Sequence, residues 1–342
     1  MATPSEAKLE SAELQKRVAR FQTVRDGILS QVRQVIVGQD EVLDQILIAL
    51  FVGGHCLITG LPGTAKTLMV RTISQTLGLL FRRIQFTPDL MPSDITGTDI
   101  IEEDPGTGRR RWTFVQGPIF GNILLADEIN RTPPKTQSAL LEAMQELSCT
   151  VRGNHYNLPL PFFVLATQNP IELEGTYPLP EAQLDRFLFN TVLDYLNAED
   201  EAKVVGLTTT THVAEVQAVT NAQEILDFQE LVRMVPIADS LAKYVVNLVR
   251  CTRPKNSDAP DIVKKYVNYG ASVRAAQFIV LAAKARALSR RRYHVTYEDI
   301  TSLATPVMRH RILLNFHAES DRVDSDEVLR RLLEQLPPPK GA

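Results

Sequence analysis

The stretch HCLITGLPGTAKTLMV, residues 55–70, decides the fold of this chain. Residues 55–59 form a short, mostly apolar run bounded by glycines, which is typical of a buried strand. A glycine-rich turn follows at 60–65, and the apolar run that begins at Leu68 indicates a helix. A strand, a glycine-rich turn and a helix in this order form a P-loop, whose backbone N–H groups point at phosphate oxygens. The sequence therefore predicts a phosphate site in an α/β domain.

Two side chains of this P-loop have predicted roles. Lys66 can reach the β- and γ-phosphates of a nucleotide, and the hydroxyl of Thr67 can bind Mg²⁺. The strict pattern has glycine where this chain has Ala65, and we interpret alanine as small enough to fit the first helical turn. The alternative interpretation is a Gly-Pro turn with an incidental lysine. The predicted nucleotide-binding residues of the segment are Gly60, Pro62, Gly63, Thr64, Ala65, Lys66, Thr67 and Leu68.

Two further strand ends carry polar residues. The run 123–126 is apolar throughout, as expected of a central parallel strand, and Asp127 and Glu128 follow it. Asp127 suits Mg²⁺, directly or through its water shell, and Glu128 suits the activation of an attacking water. Asn169 follows the apolar run 162–166 and is placed to orient that water or to contact the γ-phosphate. The alternatives are an acidic loop and an Asn-Pro turn without chemistry.

The pattern along the chain changes at about residue 197. Before it, short apolar strands alternate with helices, which indicates a parallel sheet with helices on both faces. The first of these helices is amphipathic, is predicted at 9–35 and has an apolar face that begins at Leu14. After it, helices alone are predicted, at 222–234, 237–251, 272–290 and 297–314. We therefore expect an N-terminal helix (1–35), an α/β domain (36–197), a smaller all-α domain (198–335) and a flexible tail (336–342).

The composition limits the classes of protein that the chain can belong to. It has 342 residues, of which 44% are hydrophobic and 23% charged, so we expect a globular protein of two domains. Its net charge of −3 gives no basic field for general nucleic-acid binding. The cysteines Cys56, Cys149 and Cys251 are too far apart to indicate zinc or a disulfide framework. Interrupted apolar runs and an N-terminus without a signal-peptide core lead us to expect a soluble, cytoplasmic protein without membrane insertion.

Five segments together resemble the signatures of the AAA+ ATPases, and in particular of the MoxR group. They occur in the family's order, and the resemblance covers about 36–315. The segments are GLPGTAKT (60–67), PDLMPSDITG (88–97), LADEINR (125–131), ATQNP (166–170) and PEAQLDRF (180–187).

The resemblance implies a role for each matching residue. Val37, Gly38 and Gln39 are similar to the segment on the adenine side. Lys66 and Thr67 match Walker A, Asp127 and Glu128 match Walker B, and Asn169 matches sensor 1. Arg186 resembles the arginine finger that acts in a neighbouring subunit, and Arg274 resembles sensor 2 on the helical lid. An arginine at either position would neutralise charge on the transferred phosphoryl group, and the alternative for both is a surface salt bridge.

Two β-hairpins are expected as insertions, near 95–117 and 148–160. The first is predicted to turn at 104–108, and the arginines 109–111 with Trp112 can contact a polymer or a peptide. The alternative is a solvated hairpin with arginines for solubility. The second hairpin is predicted to turn at Gly153-Asn154.

The resemblance implies a Mg²⁺-dependent ATPase that forms a homo-oligomeric ring, expected to be a hexamer, with ATP and Mg²⁺ as its cofactors. It also implies a chaperone-like remodeller of partner proteins, among them proteins with a von Willebrand A domain. Three alternatives stay open: a metal-chelatase motor subunit, a DNA-translocating motor and a nucleotide-gated scaffold without turnover. The charge balance weighs against the DNA motor, so nucleic acid is not an expected partner.

Overall fold

The structure is a computed structural model that describes residues 4–103, 110–170, 175–210 and 214–339. The predicted turn at 104–108, Arg109 and the tail residues 340–342 lie outside these ranges. No helix within them has both the length and the apolar composition needed to cross a membrane.

Up to residue 193 the elements are α1 (Pro4–Val32), α2 (Asp40–Val52), β1 (Cys56–Gly60), α3 (Lys66–Thr76), β2 (Phe81–Gln85), α4 (Pro92–Thr96), β3 (Gly97–Glu103), β4 (Arg110–Gln116), β5 (Ile123–Asp127), a 3₁₀ turn (Ile129–Arg131), α5 (Pro134–Glu146), β6 (Ser148–Val151), β7 (Asn154–Asn157), β8 (Phe163–Gln168), α6 (Glu181–Leu184) and β9 (Phe189–Leu193). The later elements are α7 (Ala198–Thr208), α8 (Ala222–Met234), α9 (Asp239–Cys251), α10 (Asp261–Tyr266), β10 (Val267–Tyr269), α11 (Val273–Ser289), α12 (Tyr297–Met308), β11 (Leu313–Leu314), α13 (Phe316–Ser320) and α14 (Ser325–Gln335).

A five-stranded parallel sheet in the order β2-β5-β8-β1-β9 forms the centre of the first part of the chain. This confirms the predicted parallel sheet. Gln85 lies opposite Asp127 in the register, and Thr59 lies opposite Gln168. The carboxyl ends of β1, β5 and β8 therefore meet at one edge, which is where ligands bind to open α/β sheets.

The two faces of the sheet enter two different hydrophobic cores. Ile123 and Leu125 face the core that contains α1, α2, α3 and the C-terminal helices, whereas Leu124 and Ala126 face the core that contains α5. This alternation is the two-residue period of a strand that is buried on both faces. It explains why the run that predicts β5 is apolar throughout.

The N-terminal helix α1 belongs to the first core. Phe21 packs on Phe51 of α2 and on Phe228 of α8, with ring centroids 4.7 and 5.3 Å apart. Leu14, where the predicted apolar face begins, is 37% exposed, so the prediction is wrong at that position, whereas Val18 is 2% exposed. The helix thus joins both parts of the chain through aromatic contacts.

The C-terminal part is helical, as predicted, apart from one short ribbon. The helix predicted at 297–314 ends at Met308, so the prediction is wrong for 309–314. Leu313–Leu314 pair instead with Val267–Tyr269 as antiparallel strands. Beyond the end of the helix, the guanidinium groups of Arg309 and Arg311 bind acceptors in residues 185–190.

Two antiparallel hairpins, β3–β4 and β6–β7, extend from the α/β part. They contact each other through aromatic rings: Phe114 stacks on Tyr156 with the ring centroids 4.1 Å apart. The guanidinium of Arg152 lies 4.6 Å from the centroid of Trp112, which is still 60% exposed. The two hairpins therefore form one continuous surface.

The three cysteines are free thiols, and all three are buried. Burial raises the pKa of Cys56 far above its usual value, and it also raises the pKa of Cys149 and Cys251. A thiol reacts as the thiolate, so none of them has the environment of a reactive cysteine.

Candidate active site

The P-loop joins β1 to α3 at the edge of the sheet. A Cβ atom added at Gly60 would lie 2.6 Å from the carbonyl oxygen of Leu193, so β9 leaves no room for a side chain there. The ammonium of Lys66 donates to the carbonyl oxygens of Gly60 and Leu61 at 2.7 and 3.0 Å, and the Thr64 hydroxyl donates to Leu61 at 2.8 Å. The lysine thus lies over its own loop, beside the N-terminus of α3.

Ala65 is the departure from the strict motif, and its interpretation as a helical residue is wrong. It is the N-cap of α3 and has φ 58° and ψ 25°, in the left-handed region. Gly63 also has a positive φ, of 81°. Left-handed backbone costs an alanine about 1 kcal/mol, because its Cβ approaches the following carbonyl oxygen. The loop therefore has a conformation that favours glycine and holds alanine under strain.

Asp127 ends β5 with its carboxylate held from two sides. The Thr167 hydroxyl at the end of β8 donates to Oδ1 at 2.6 Å. The Arg83 guanidinium on β2 donates to Oδ2, with Nη2 at 2.6 Å and Nε at 3.2 Å. Asp127 is 8% exposed, so these contacts replace most of its solvent. Neither Arg83 nor Thr167 is in the predicted set.

Glu128 follows Asp127 in a left-handed conformation, with φ 57° and ψ 50°. Its backbone N–H donates to the Thr167 hydroxyl at 2.8 Å, which locks the turn to β8. Its Oε2 accepts from the Gln85 side-chain amide at 3.0 Å and forms an ion pair with Arg131, also at 3.0 Å. Two neighbouring side chains therefore hold this carboxylate in place.

The P-loop and the strand ends line one cavity of about 510 Å³. Its lining contains residues 62–68 of the loop together with Asp127, Glu128, Thr167 and Asn169. The structure thus brings together the predicted phosphate-binding lysine, both acids and the polar amide.

The donors at this cavity fit Mg²⁺ carried by a nucleotide. The Thr67 hydroxyl and the Asp127 carboxylate supply oxygen atoms, and Mg²⁺ prefers oxygen ligands and is usually held by few protein groups together with phosphates and water. Within the described residues, no three His, Cys, Asp or Glu side chains cluster as a metal site. Thr67 and Asp127 are therefore the residues that would hold the ion together with the nucleotide.

A second cavity of about 360 Å³ adjoins the loop and shares Gly63, Thr64, Ala65 and Leu68 with the first. Val37 and Gln39 line it, and the Gln39 amide donates to the Asp194 carbonyl at 3.0 Å. The lining is mostly apolar and contains residues absent from the predicted set. They are Val35, Ile36, Met69, Asp194, Tyr195, Leu196, Glu201, Val204, Val205 and Thr208.

Gly38 lies between Val37 and Gln39 and has a φ of 67°. The positive φ favours glycine, and a Cβ atom there would lie 2.8 Å from a terminal methyl of Leu196, which would have to shift. It lines a neighbouring cavity with Val37 and Asp200. The segment 37–39 is therefore pressed against 194–205 beside the loop, and an apolar ring system would fit between them.

The two predicted arginines lie elsewhere. Among the described residues, the linings of the two cavities that contain the loop do not contain Arg186 or Arg274. Arg186 donates to the backbone carbonyl of Leu141. Arg274 pairs with Oδ2 of Asp185 at 3.2 Å. Arg274 thus binds Asp185, the residue just before Arg186, and neither arginine lines the phosphate cavity.

Three groups from the C-terminal part converge on the Asp185 carboxylate. They are the Ser272 hydroxyl, Arg274 Nη1, and Arg311 Nε at 2.8 Å from Oδ1. We call Asp185 and these three residues the Asp185 junction. The Arg311 side chain is 1% exposed, and this burial lowers its pKa to about 10, against the opposite effect of the Asp185 charge. Arg311 is missing from the predicted set, since its sequence neighbours give no sign of the partner.

This arrangement defines a P-loop nucleotide-binding protein with a helical lid, and comparisons with known proteins agree. Residues 55–189 match the model of the ATPase family associated with various cellular activities (AAA), and residues 260–332 match the AAA lid domain. The chain belongs to the MoxR group of AAA+ ATPases.

Two relatives and one solved structure illustrate this membership. The chain is 41% identical to Chaperone MoxR1 of Mycobacterium tuberculosis over 313 residues, which are 91% of this chain and 81% of the relative. It is 29% identical to Protein MoxR of Methylorubrum extorquens over 328 residues, 90% of this chain and 93% of that one. A solved structure from Cytophaga hutchinsonii, described as a candidate ATPase, superposes with a TM-score of 0.89 and 40% identity. The superposition covers 96% of this chain and 98% of the chain from Cytophaga hutchinsonii.

Proposed function

We propose that this protein binds ATP with Mg²⁺ and hydrolyses it to ADP and phosphate. The observation that carries the proposal is the cavity of about 510 Å³ where the P-loop, Asp127, Glu128 and Asn169 meet. The adjoining apolar cavity, with Val37 and Gln39, is the proposed adenine site. The family membership supports this assignment.

Each residue of the cavity has a proposed role in this reaction. Loop N–H groups and the Lys66 ammonium bind the phosphates, and Thr67 and Asp127 hold Mg²⁺, which neutralises phosphate charge when bound. Glu128 accepts a proton from the attacking water, and Asn169 orients that water. Glu128 must first leave Gln85 and Arg131, which bind its carboxylate in this conformation.

We further propose that the chain works as a homo-oligomeric ring, a hexamer, with Arg186 completing the site of a neighbouring subunit. Support comes from the position of Arg186 and Arg274 outside the phosphate cavity of their own chain. Arg274 acts as the lid's sensor when the Asp185 junction rearranges. An arginine that a neighbouring chain inserts into a site of phosphoryl transfer increases the rate by about 10³- to 10⁵-fold.

The proposed biological role is a cytoplasmic, chaperone-like remodeller that matures partner proteins, among them proteins with a von Willebrand A domain. The name of the relative Chaperone MoxR1 supports it. We propose the domain organisation that the sequence predicts: an N-terminal helix (1–35), an α/β motor (36–197), a lid (198–335) and a tail (336–342). A pull-down of candidate partners, with and without ATP, tests the role; recovery of none in either condition counts against it.

The first experiment measures ATP hydrolysis as a function of protein concentration. Specific activity should rise steeply with concentration if subunits share sites. Glu128→Gln should lower the rate by about 10²- to 10⁴-fold, because glutamine cannot accept the proton of the water. The matched control is Glu319→Gln in exposed α13, which should keep the wild-type rate. Equal, negligible turnover in all three proteins, with ATP still bound, would overturn the proposal in favour of a nucleotide-gated scaffold.

A further inference from the structure

Arg83 contacts the carboxylate of Asp127, one of the proposed metal ligands, and none of the sequence motifs includes it. It lies on β2, the outermost strand on that side of the sheet, two residues before Gln85, which is opposite Asp127 in the register. From there it donates twice to Oδ2 of Asp127, with Nη2 at 2.6 Å and Nε at 3.2 Å. Nη2 also donates to Oε1 of Gln85 at 2.6 Å.

The two oxygens of Asp127 are divided between two partners. Oδ1 accepts from Thr167, whose hydroxyl also accepts from the backbone of Glu128, so this side is fixed by the turn between β5 and β8. Oδ2, which Arg83 binds in this conformation, is therefore the oxygen that can exchange its partner for a cation without breaking that turn. Both contacts are charge-assisted and short, which makes them strong for hydrogen bonds in proteins.

Arg83 and a divalent cation cannot both bind Oδ2. Mg²⁺ or a water from its shell must approach this oxygen, and a guanidinium within 2.6 Å of the same atom would repel it. The two partners also differ in their freedom to move. The Arg83 side chain is 46% exposed, whereas the Asp127 side chain is 11% exposed. Arg83 can turn into solvent, but Asp127 cannot follow it without leaving Thr167.

We propose that Arg83 is a positioning residue that competes with Mg²⁺ for Oδ2 of Asp127 and so sets the Mg²⁺ concentration that nucleotide binding requires. The guanidinium holds the carboxylate towards the cavity and then releases it to the metal. Arg83 therefore lowers the apparent affinity for Mg²⁺ while it keeps a buried carboxylate paired. This inference rests on the proposed nucleotide site.

The test measures binding of a fluorescent ADP analogue while Mg²⁺ is titrated, which needs no turnover. Three proteins are compared: wild type, Arg83→Gln, and Arg82→Gln as the matched control. Arg82 is the exposed neighbour on the opposite pleat of the same strand, so it loses the same charge without touching Asp127. The half-saturating Mg²⁺ concentration should fall about tenfold in Arg83→Gln and stay at the wild-type value in Arg82→Gln.

The apparent melting temperature gives a second readout. Arg83→Gln should melt below wild type without ligand and should gain more than wild type on addition of Mg²⁺ and ADP, because binding no longer breaks an ion pair. If Arg83→Gln does not fold, Arg83→Lys serves instead. It keeps the charge but loses the two-pronged contact, so a smaller fall, of about threefold, is expected.

The outcomes separate this inference from the proposed function. Wild type that binds no nucleotide at any Mg²⁺ concentration overturns the nucleotide site itself. Wild type that binds, with a Mg²⁺ requirement that is unchanged or higher in Arg83→Gln, overturns the competition and leaves the nucleotide site standing. An equal fall in Arg82→Gln also overturns it, because general surface charge would then explain the effect.

Discussion

The P-loop and the Asp185 junction assemble charged groups by opposite means. In the loop, Lys66 lies on carbonyl oxygens five and six residues before it, and Ala65 takes its conformation from the turn. In the junction, Arg274 and Arg311 reach Asp185 across 89 and 126 positions of sequence. The loop is therefore encoded in consecutive residues, whereas the junction exists only in the folded chain. Changes in the loop should affect ligand binding more than folding, and changes in the junction should do the reverse.

The largest effect on stability is expected at the junction. Arg311→Met keeps most of the side-chain volume but removes the buried donor of Asp185 and of the backbone carbonyls of Phe187 and Leu188; Ser272 and Arg274 still contact Asp185. Loss of one partner of a buried ion pair should cost about 3–5 kcal/mol of unfolding free energy, measured by denaturant titration.

The matched control for this change is Arg330→Met in α14. Arg330 pairs with Glu327 at 2.8 Å, but its side chain is 55% exposed. Its loss should leave the unfolding free energy close to the wild-type value, because solvent screens the pair. Similar costs at the two positions would show that burial at the Asp185 junction does not control the effect.

A second prediction concerns the strand that carries the loop. His55, just before β1, accepts from the backbone N–H of Val164 and contacts the Met144 carbonyl, and burial lowers its pKa to about 4. In the unfolded chain the pKa is near 6.5, so the unfolded state binds the proton first as the pH falls. Stability should therefore fall by about 3 kcal/mol between pH 6.5 and pH 4 on account of this group.

Denaturant titration at several pH values tests this, with His55→Gln against wild type. Glutamine binds no proton, so unfolding of the variant should take up about one proton fewer than unfolding of wild type at low pH. The unfolding free energy of the variant should therefore change less with pH. Burial lowers the pKa of His310 as well, so a part of the dependence should persist. The same change at exposed His294 is the control, and an identical reduction there would refute the attribution to His55.

The smallest effect is expected in the loop itself. Ala65→Gly relieves left-handed strain of about 1 kcal/mol, partly offset by the greater freedom of glycine in the unfolded chain. A gain of up to about 1 kcal/mol is expected. Ala242→Gly, in the right-handed helix α9, should instead lose about 1 kcal/mol. If both variants lose stability, the left-handed conformation does not strain Ala65.

The same contrast explains what the sequence can predict. The parallel sheet and the AAA+ assignment are confirmed. They could be predicted because the patterns of strands such as β5 and of the P-loop lie in consecutive residues. Placement of Asp127, Glu128 and Asn169 at one edge follows from the rule that parallel strands end together. Their roles in catalysis stay predictions.

Other features depend on distant partners and leave no local signal. Arg83 and Arg311 are ordinary arginines in the sequence, and only the sheet order and the docking of the C-terminal part give them their carboxylates. Arg309, which follows the end of α12, likewise binds a group 119 positions away, and Arg311 binds one 126 positions away. The conformation of Ala65 is set by the turn as a whole, so the helical interpretation of that single residue was wrong.

The burial of all three native thiols gives the protein a practical property. A maleimide dye reacts with an accessible thiolate, and Cys56, Cys149 and Cys251 are shielded and have raised pKa values. Cysteines placed at both exposed Ser257, in the C-terminal part, and exposed Ser138, on α5, would react first without removal of the native ones. Movement between the two parts could thus be followed by energy transfer in an otherwise unaltered chain.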